Sequence, residues 1–361
     1  METVIVLIFF GLVAAMMAVT PYITRRTESF GVTIPEEAYP DPELKKLRKQ
    51  YAAAIIAFSI LLAAALLMAV RTSRLLQTGF ALAVIAGIAG DFLIYLYFHR
   101  KMKAIKAARN WATGKKQAVM VDPKFRSQKL IFSNAWFLIH ASVTAATFLM
   151  TWLCYGRIPD RIAMHYDFNG TPTDWVEKSY RSVFELPTVQ LLLLILFIWL
   201  NTMIAKSKQQ LNAANPETSL EQNVRFRRRW SAFMIIAGLL LILLFFAIQL
   251  SFIVPVPIFL LSYGGMGAVL LIVAGAVVLS ITTGQGGSRI RVGNGSVQGR
   301  FQYDDDAYWK LGVFYFNRND PSLWVEKRFG SGWTLNFAHP AGWAILGLVI
   351  LIPLLLGVFF S

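Results

Sequence analysis

Eight apolar stretches, separated by polar segments, constrain the fold of this chain more than any other feature of its sequence. They lie near residues 2–20, 51–70, 76–98, 132–154, 184–204, 230–252, 257–281 and 341–360. Each is long enough to cross the ~30 Å hydrocarbon core of a bilayer as a helix of about 20 residues. The sequence therefore predicts an all-α polytopic membrane protein with about eight transmembrane helices.

The composition supports the same class. Hydrophobic residues make up 56% of the chain and charged residues 15%, which is too apolar for a soluble domain of this length. The first stretch has neither a basic start nor a small-residue cleavage site, so we expect a retained span rather than a signal peptide. The single cysteine, Cys154, excludes an internal disulfide and a cysteine cluster for metal.

Positive charge is concentrated in alternate loops. Of the 35 Lys and Arg residues, 29 lie in the loops after the first, third, fifth and seventh stretches. The positive-inside rule places those loops in the cytoplasm, so both termini and the loop 155–183 are expected outside the cell membrane. Cations beside anionic lipids contribute about 1 kcal/mol each. Because no nucleic-acid-binding pattern accompanies the net charge of +15, we expect anionic lipids rather than nucleic acid as its partners.

The order of apolar and polar segments predicts the domain organisation. The regions are a three-span region 1–131, a helix–loop–helix module 132–205, a two-span hairpin with its basic connector 206–281, a β-rich segment 282–340 and a final transmembrane helix 341–361. Residues 21–50 are expected to be irregular, because prolines interrupt them, until a short capped helix begins at Pro42 and leads into the second span.

The polar loop 158–178 stands out between two apolar runs. Pro159, Gly170 and Pro172 prevent a continuous helix, and Asn169-Gly170 predicts a turn. Ionisable side chains alternate here with aromatic ones. A loop that only joins two membrane helices does not require such a combination of side chains. We expect the residues that bind a ligand or order the loop to be Pro159, His165, Asp167, Gly170, Asp174, Trp175 and Lys178.

His165 has two interpretations. With Asp167 or Asp174 it could bind zinc, but one histidine with two aspartates is a weak zinc site. Histidine without further histidine or cysteine ligands more often orders a loop through hydrogen bonds. We therefore favour the ordering role and expect no metal and no other cofactor.

The segment 282–340 has a different composition from the loops before it. Aromatic, β-favouring runs at 308–316, 323–328 and 333–337 are separated by turn-forming residues, which predicts hairpins. The acidic run Asp304-Asp305-Asp306 could bind a divalent cation. Its neighbours do not follow a calcium-loop spacing, so a solvated turn is the favoured interpretation.

Two ionisable residues lie within the apolar stretches. Asp91 and His140 would both lie roughly 10–12 Å from the cytoplasmic surface. A mid-membrane aspartate costs about 2.5–3.5 kcal/mol on insertion scales, so it needs a partner. An Asp91–His140 pair would either fix helix packing, which we favour, or relay protons. Asn201 and Gln249 are expected at the membrane interfaces.

Five residues of the 158–178 loop recur at a spacing known from one family. They are Pro159, His165, Gly170, Trp175 and Lys178. They resemble the short motif of the sporulation-delaying-protein immunity family, in which the motif joins two membrane helices. The resemblance covers roughly residues 135–205. The chain departs from the pattern at Asp167, where asparagine is common, and at Thr173, where an acidic residue is common.

A second resemblance lies at residues 303–340. This segment is similar to a module of unknown function that accompanies the immunity motif in membrane proteins of spore-forming Gram-positive bacteria. The immunity family implies protection against an extracellular membrane-active peptide toxin, sometimes with signalling through a cytoplasmic repressor held at the membrane.

Two classes of function remain open from the sequence. Binding or immunity is favoured by the loop, and secondary transport by the Asp91–His140 pair and the glycine-interrupted seventh span at 262–268. No inverted repeat is visible to strengthen the transport hypothesis. No catalytic motif is present either, so we expect no enzymatic activity and assign no catalytic residue.

Overall fold

A computed structural model of the chain describes residues 2–72, 76–111, 128–166, 172–209, 216–292 and 304–360. Its helices are α1 (Glu2–Ile23), α2 (Pro42–Thr72), α3 (Leu76–Ala108), α4 (Phe137–Leu153), α5 (Tyr180–Val183), α6 (Glu185–Lys206), α7 (Pro216–Ser251), α8 (Ile258–Thr283) and α9 (Pro340–Phe360). Its strands are β1 (Glu28–Ser29), β2 (Val32–Thr33), β3 (Arg161–Tyr166), β4 (Pro172–Glu177), β5 (Trp309–Lys310), β6 (Phe314–Tyr315), β7 (Trp324–Glu326) and β8 (Trp333–Leu335).

Seven of the described helices are long and apolar enough to cross a membrane. They are α2, α3, α4, α6, α7, α8 and α9. The first predicted span forms α1, whose residues Leu7–Ile23, the part with described side chains, make a shorter apolar helix. The prediction of an all-α polytopic membrane protein is therefore confirmed, with seven of its eight expected spans.

The chain divides into two compact units, and each unit combines segments that are distant in sequence. Unit 1 comprises residues within 1–125, 208–226 and 280–342. Unit 2 comprises residues within 126–207, 227–279 and 343–361. The β-rich segment predicted at 282–340 therefore packs within the same unit as the N-terminal helices.

A tight hairpin, β1–β2, lies between α1 and α2 in unit 1. Its turn residues Phe30 and Gly31 both have positive φ, 49° and 74°, as in the two-residue turns that join antiparallel strands. Positive φ is unusual for a bulky residue. The Phe30 ring is fully buried and lies 5.3 Å from the ring of Tyr51 and 5.5 Å from that of Phe98, so aromatic packing holds it there. The sequence predicts irregular chain here, and the structure corrects this with a short antiparallel strand pair.

Helix α2 begins where the sequence predicts a helix start. The Asp41 carboxylate accepts the Glu43 backbone N–H at 2.8 Å, which satisfies one of the free donors of the first turn. The predicted short helix at Pro42 and the second span form one continuous helix that ends at Thr72.

The predicted hairpins of the C-terminal segment are confirmed as two short antiparallel strand pairs. Strand β5 pairs with β6, and β7 with β8. A backbone bridge between Tyr315 and Asn336 connects the two pairs.

The core of unit 2 lies between α4, α6 and α7. Its buried apolar side chains are Phe137, Leu194, Phe197, Ala237 and Ile242. Gly238 permits this close packing, since a Cβ there would lie 2.9 Å from the Phe197 ring.

Candidate functional site

The polar loop between α4 and α6 contains the antiparallel hairpin β3–β4. Its register places Arg161 opposite Glu177, and His165 opposite Asp174 across an irregularity in the pairing. The side chain of His165 lies outside the described residues, as do Asp167, Gly170 and the predicted turn at 169–170. The choice between zinc binding and loop ordering by His165 therefore stays a prediction.

Lys178 connects the two ends of this loop. Its Nζ donates a hydrogen bond to the Ile158 carbonyl at 2.8 Å and lies 4.9 Å from the centroid of the Tyr155 ring. Its backbone N–H donates to the Asp160 carbonyl, also at 2.8 Å. Only 14% of the side chain is exposed. Lys178 therefore orders the base of the loop through a charge-assisted hydrogen bond, which is stronger than a neutral one.

Two further contacts fix the base of the hairpin. The hydroxyl of Ser182 donates to the Glu177 carbonyl at 3.0 Å, and Gln249 of α7 donates to the Val183 carbonyl at 3.2 Å. Beneath these bonds lies a small apolar cluster. Its buried members are Ile158, Ile162 and Val183. The base thus combines hydrogen bonds with apolar packing, and both rigidify the loop.

Aromatic side chains remain exposed around this fixed base. Trp175 of β4 is 54% exposed, and Pro159 and Asp174 are also exposed. At the end of α4, the ring of Tyr180 stacks on that of Tyr155 at 4.5 Å and lies 6.3 Å from that of Trp152. We call Trp152, Tyr155 and Tyr180 the aromatic stack. Exposed tryptophan and tyrosine are typical of a membrane–water interface and of protein-binding surfaces.

Buried polar side chains line the interface of α4, α6 and α7. They are His140, Thr144, Thr147, Thr151, Gln190, Asn201, Ser231 and Gln249. The structure buries Asn201 and Gln249 completely between helices, and their predicted depth near the membrane interfaces stays a prediction. Polar side chains hold membrane helices together by interhelical hydrogen bonds, which explains their burial here.

Two of these side chains donate hydrogen bonds to backbone carbonyls of α7. His140 donates from Nε2 to the Ile235 carbonyl at 2.9 Å, and Gln190 donates to the Ile242 carbonyl at 2.8 Å. The acceptors are seven residues apart, or about 10 Å along the helix. Asp91 lies in unit 1 and His140 in unit 2, and the pairing of the two stays a prediction.

Unit 1 contains a cluster of ionised groups that sequence analysis missed. Arg328 of the C-terminal segment is 3% exposed and forms ion pairs with Asp305 and Asp306. Lys106 of α3 lies 2.5 Å from Asp304 and 2.8 Å from Asp306. The interpretation of the acidic run as a solvated turn was therefore wrong, since all of its carboxylates have cationic partners.

A second part of this cluster surrounds Glu326. Its carboxylate forms an ion pair with Arg25 and accepts a hydrogen bond from Asn223 at 2.8 Å. Glu28 lies nearby, and burial raises its pKa to about 7, against the opposing effect of Arg25 and Arg328. Its Oε2 has no hydrogen-bond partner among the described residues. The charge of Glu28 therefore changes near neutral pH.

Two tight turns meet at α3. The hydroxyl of Tyr95 lies 3.3 Å from the Phe30 carbonyl and 3.0 Å from the Leu311 carbonyl, and His99 donates to the Phe30 carbonyl at 2.7 Å. These bonds join the β1–β2 turn to the β5–β6 turn. A Cβ at Gly31 would lie 2.4 Å from the Gly312 carbonyl oxygen, so the two backbones touch.

Replacing Gly31 with alanine should therefore destabilise unit 1 by about 3 kcal/mol, because a strained positive φ and a backbone collision combine. Gly332→Ala is the matched control: its φ is +104°, but no atom lies within 4 Å of the added Cβ. Thermal unfolding in detergent compares the two variants. An equal fall in the unfolding temperature of both variants would show that the contact between the turns contributes nothing to stability.

Comparison with known families matched two segments of the chain. Residues 143–191 match a domain of unknown function, DUF1648, and residues 318–343 match a family of unknown function, DUF5808. No match to the immunity family was found. No curated protein and no solved structure matched. The first segment contains the hairpin β3–β4, and the second contains Glu326 and Arg328.

Proposed function

We propose that this integral membrane protein binds a membrane-active peptide at the hairpin β3–β4 and either gives immunity to the peptide or signals its presence. The observation that carries the proposal is the contrast between a fixed base and exposed aromatic side chains. Lys178 and Ser182 hold the base, while Trp175 stays more than half exposed. The motif resemblance of the loop supports the same conclusion.

The chemistry of the hairpin suits an amphipathic peptide. Trp175 and the aromatic stack offer large rigid apolar surfaces, which are the side chains that dominate binding energies at interfaces. Arg161 and Glu177, opposite each other at the base of the hairpin, are both exposed and offer charges of either sign. Amphipathic helices lie in the membrane interface with their apolar face buried, where an interfacial aromatic surface would meet them.

The orientation of the chain is part of this proposal. The distribution of basic residues favours an extracytoplasmic loop 155–183, where a secreted peptide first meets the membrane. The segment 282–340 would then face the cytoplasm, where a repressor would bind if the protein also signals. The proposal requires neither catalysis nor a cofactor.

Cysteine labelling tests the orientation. In a Cys154→Ser background, Asp160→Cys should react with an impermeant maleimide on intact cells, and Arg318→Cys should react only after the membrane is permeabilised. Both positions are exposed, so access by the reagent depends on the side of the membrane. The opposite labelling pattern would overturn the orientation.

The binding role is tested by replacing Trp175 with alanine. Truncating a central aromatic contact costs about 2 kcal/mol of binding free energy. The affinity for the cognate peptide, and with it the peptide concentration that the cells survive, should therefore fall about thirtyfold. Trp136→Ala is the matched control. Trp136 is similarly exposed, at 52%, but it directly precedes the N-terminal end of α4, whereas the hairpin follows the C-terminal end. The assay is survival of a strain lacking the native gene when challenged with peptides secreted by sibling cells, at equal membrane abundance of each variant. Full protection by Trp175→Ala would contradict the proposal.

Secondary transport is the second candidate, and the buried polar side chains between α4, α6 and α7 favour it. Three buried oxygens there have no hydrogen-bond partner among the described residues: Thr144 Oγ1, Gln190 Oε1 and Gln249 Oε1. Such atoms are usually satisfied by water or a bound ion. Gln190→Leu separates the candidates, because it should abolish transport and leave peptide protection unchanged.

A further inference from the structure

A groove in unit 2 lies between α4 and α6. Its α4 side is formed by Ala141, Ala145, Phe148 and Trp152, which follow one another at helical spacing and so share one face. The small side chains of Ala141 and Ala145 leave the space open toward one end, and the large rings of Phe148 and Trp152 line the other end. The groove has a volume of about 600 Å³ and an almost entirely apolar lining.

The length of the groove indicates what fits it. From Ala141 to Trp152 the helix advances by about 16 Å, which matches one leaflet of a ~30 Å hydrocarbon core. A transmembrane helix of a partner would cross both leaflets and extend well beyond this groove. An acyl chain of a lipid in a single leaflet has the matching length and polarity.

The Trp152 end of the groove provides aromatic groups, and an arginine follows five residues later in the chain. Trp152 belongs to the aromatic stack, which is the composition of a membrane interface. Arg157 follows in the short turn Tyr155–Arg157 and is exposed. Guanidinium groups bind phosphate through charge-assisted hydrogen bonds.

We propose that this groove binds one anionic phospholipid, with an acyl chain between α4 and α6 and the headgroup phosphate at Arg157. The proposal does not rest on the proposed peptide binding, although Trp152 belongs both to the groove and to the aromatic stack. Different residues contact different parts of the lipid. The small side chains of Ala141 and Ala145 leave space for the acyl chain, and Arg157 binds the charged headgroup.

Native mass spectrometry of the detergent-purified protein tests the site, with phosphatidylglycerol and phosphatidylcholine of identical acyl chains as probes. The wild type should retain phosphatidylglycerol in preference to phosphatidylcholine. Ala145→Leu should reduce the retention of both lipids about tenfold, the loss expected when roughly two methylene groups of the chain are no longer buried. Arg157→Gln should remove the preference for phosphatidylglycerol and leave the retention of phosphatidylcholine unchanged.

Ala146→Leu is the matched control for the groove. Ala146 is the next residue on α4 and is exposed, but it does not line the groove, so this variant should bind lipid as the wild type does. Leu191→Trp fills the groove from α6 and replaces Ala145→Leu if that variant is not monodisperse. Equal retention by the groove-filling and control variants would overturn the site, as would a wild type that retains neither lipid. An unchanged headgroup preference in Arg157→Gln would overturn the role of Arg157.

Discussion

Replacing Arg328 with methionine should lower the free energy of unfolding of unit 1 by about 3–5 kcal/mol, the usual cost of breaking a buried ion pair by removing one partner. Burial lowers the pKa of Arg328 to about 10, so the guanidinium stays charged at neutral pH. Without the guanidinium, the carboxylates of Asp305 and Asp306 lose the cation with which both form ion pairs. Thr33 also loses the hydrogen bond that Arg328 donates to its hydroxyl at 2.9 Å.

Arg318→Met is the matched control for this experiment. Arg318 belongs to the same C-terminal segment, but its side chain is exposed. The measurement is the midpoint of heat-induced loss of the monodisperse peak in size-exclusion chromatography. The midpoint should fall by roughly 10 °C for Arg328→Met and by less than about 2 °C for Arg318→Met. Similar shifts for both variants would show that the ion pairs contribute no stability.

Replacing Glu28 with glutamine should change how the stability of unit 1 depends on pH. The pKa of Glu28 is about 7 in the folded chain, against an ordinary value of 4.5. The folded state therefore binds this proton more tightly than the unfolded state. The stability that the protonated carboxyl contributes is complete below pH 4.5, falls as the pH rises to about 7, and is absent above it. The total change is about 3 kcal/mol.

Glutamine resembles the protonated carboxyl and does not titrate. Glu28→Gln should therefore be more stable than the wild type by up to about 3 kcal/mol at pH 8 and equal to it near pH 4.5. Glu37→Gln changes an exposed carboxylate of the same loop and serves as the control. Unfolding midpoints measured at both pH values give the comparison. A difference between Glu28→Gln and wild type that is the same at both pH values would contradict the assignment.

The features that the sequence predicts correctly depend on local patterns. Seven spans follow from unbroken apolar runs, and the strand pairs β5–β6 and β7–β8 follow from aromatic runs separated by turn residues. The start of α2 follows from the capping residue Asp41. Each of these signals lies within about 20 residues of chain and needs no knowledge of distant neighbours.

The features that the sequence does not predict depend on long-range contacts or on strain. Arg25 and Glu326 are 301 residues apart, and no local pattern pairs them. Hairpin β1–β2 has strands of two residues and a phenylalanine at positive φ, against ordinary propensity. Tertiary packing overrides local preference at this turn, because the Phe30 ring fills the aromatic core of unit 1.

The buried polar side chains of unit 2 did leave a signal in the sequence. His140, Gln190 and Gln249 each interrupt an apolar stretch, and polar residues within membrane spans face protein rather than lipid. The predicted pairing of His140 with Asp91 and the predicted interfacial position of Gln249 do not by themselves place these side chains at one helix interface. A search for polar residues that recur across neighbouring spans would have grouped the three.

If the hairpin β3–β4 contacts a membrane-active peptide, photo-crosslinking from position 175 should capture that peptide. A photoreactive phenylalanine analogue replaces Trp175 in one strain and Trp136 in another, and both strains are irradiated during challenge with the secreted peptides of sibling cells. A covalent adduct of peptide mass should form at position 175 and none at position 136. Protection of the irradiated cells without any adduct at position 175, or adducts of equal yield at both positions, would contradict this contact.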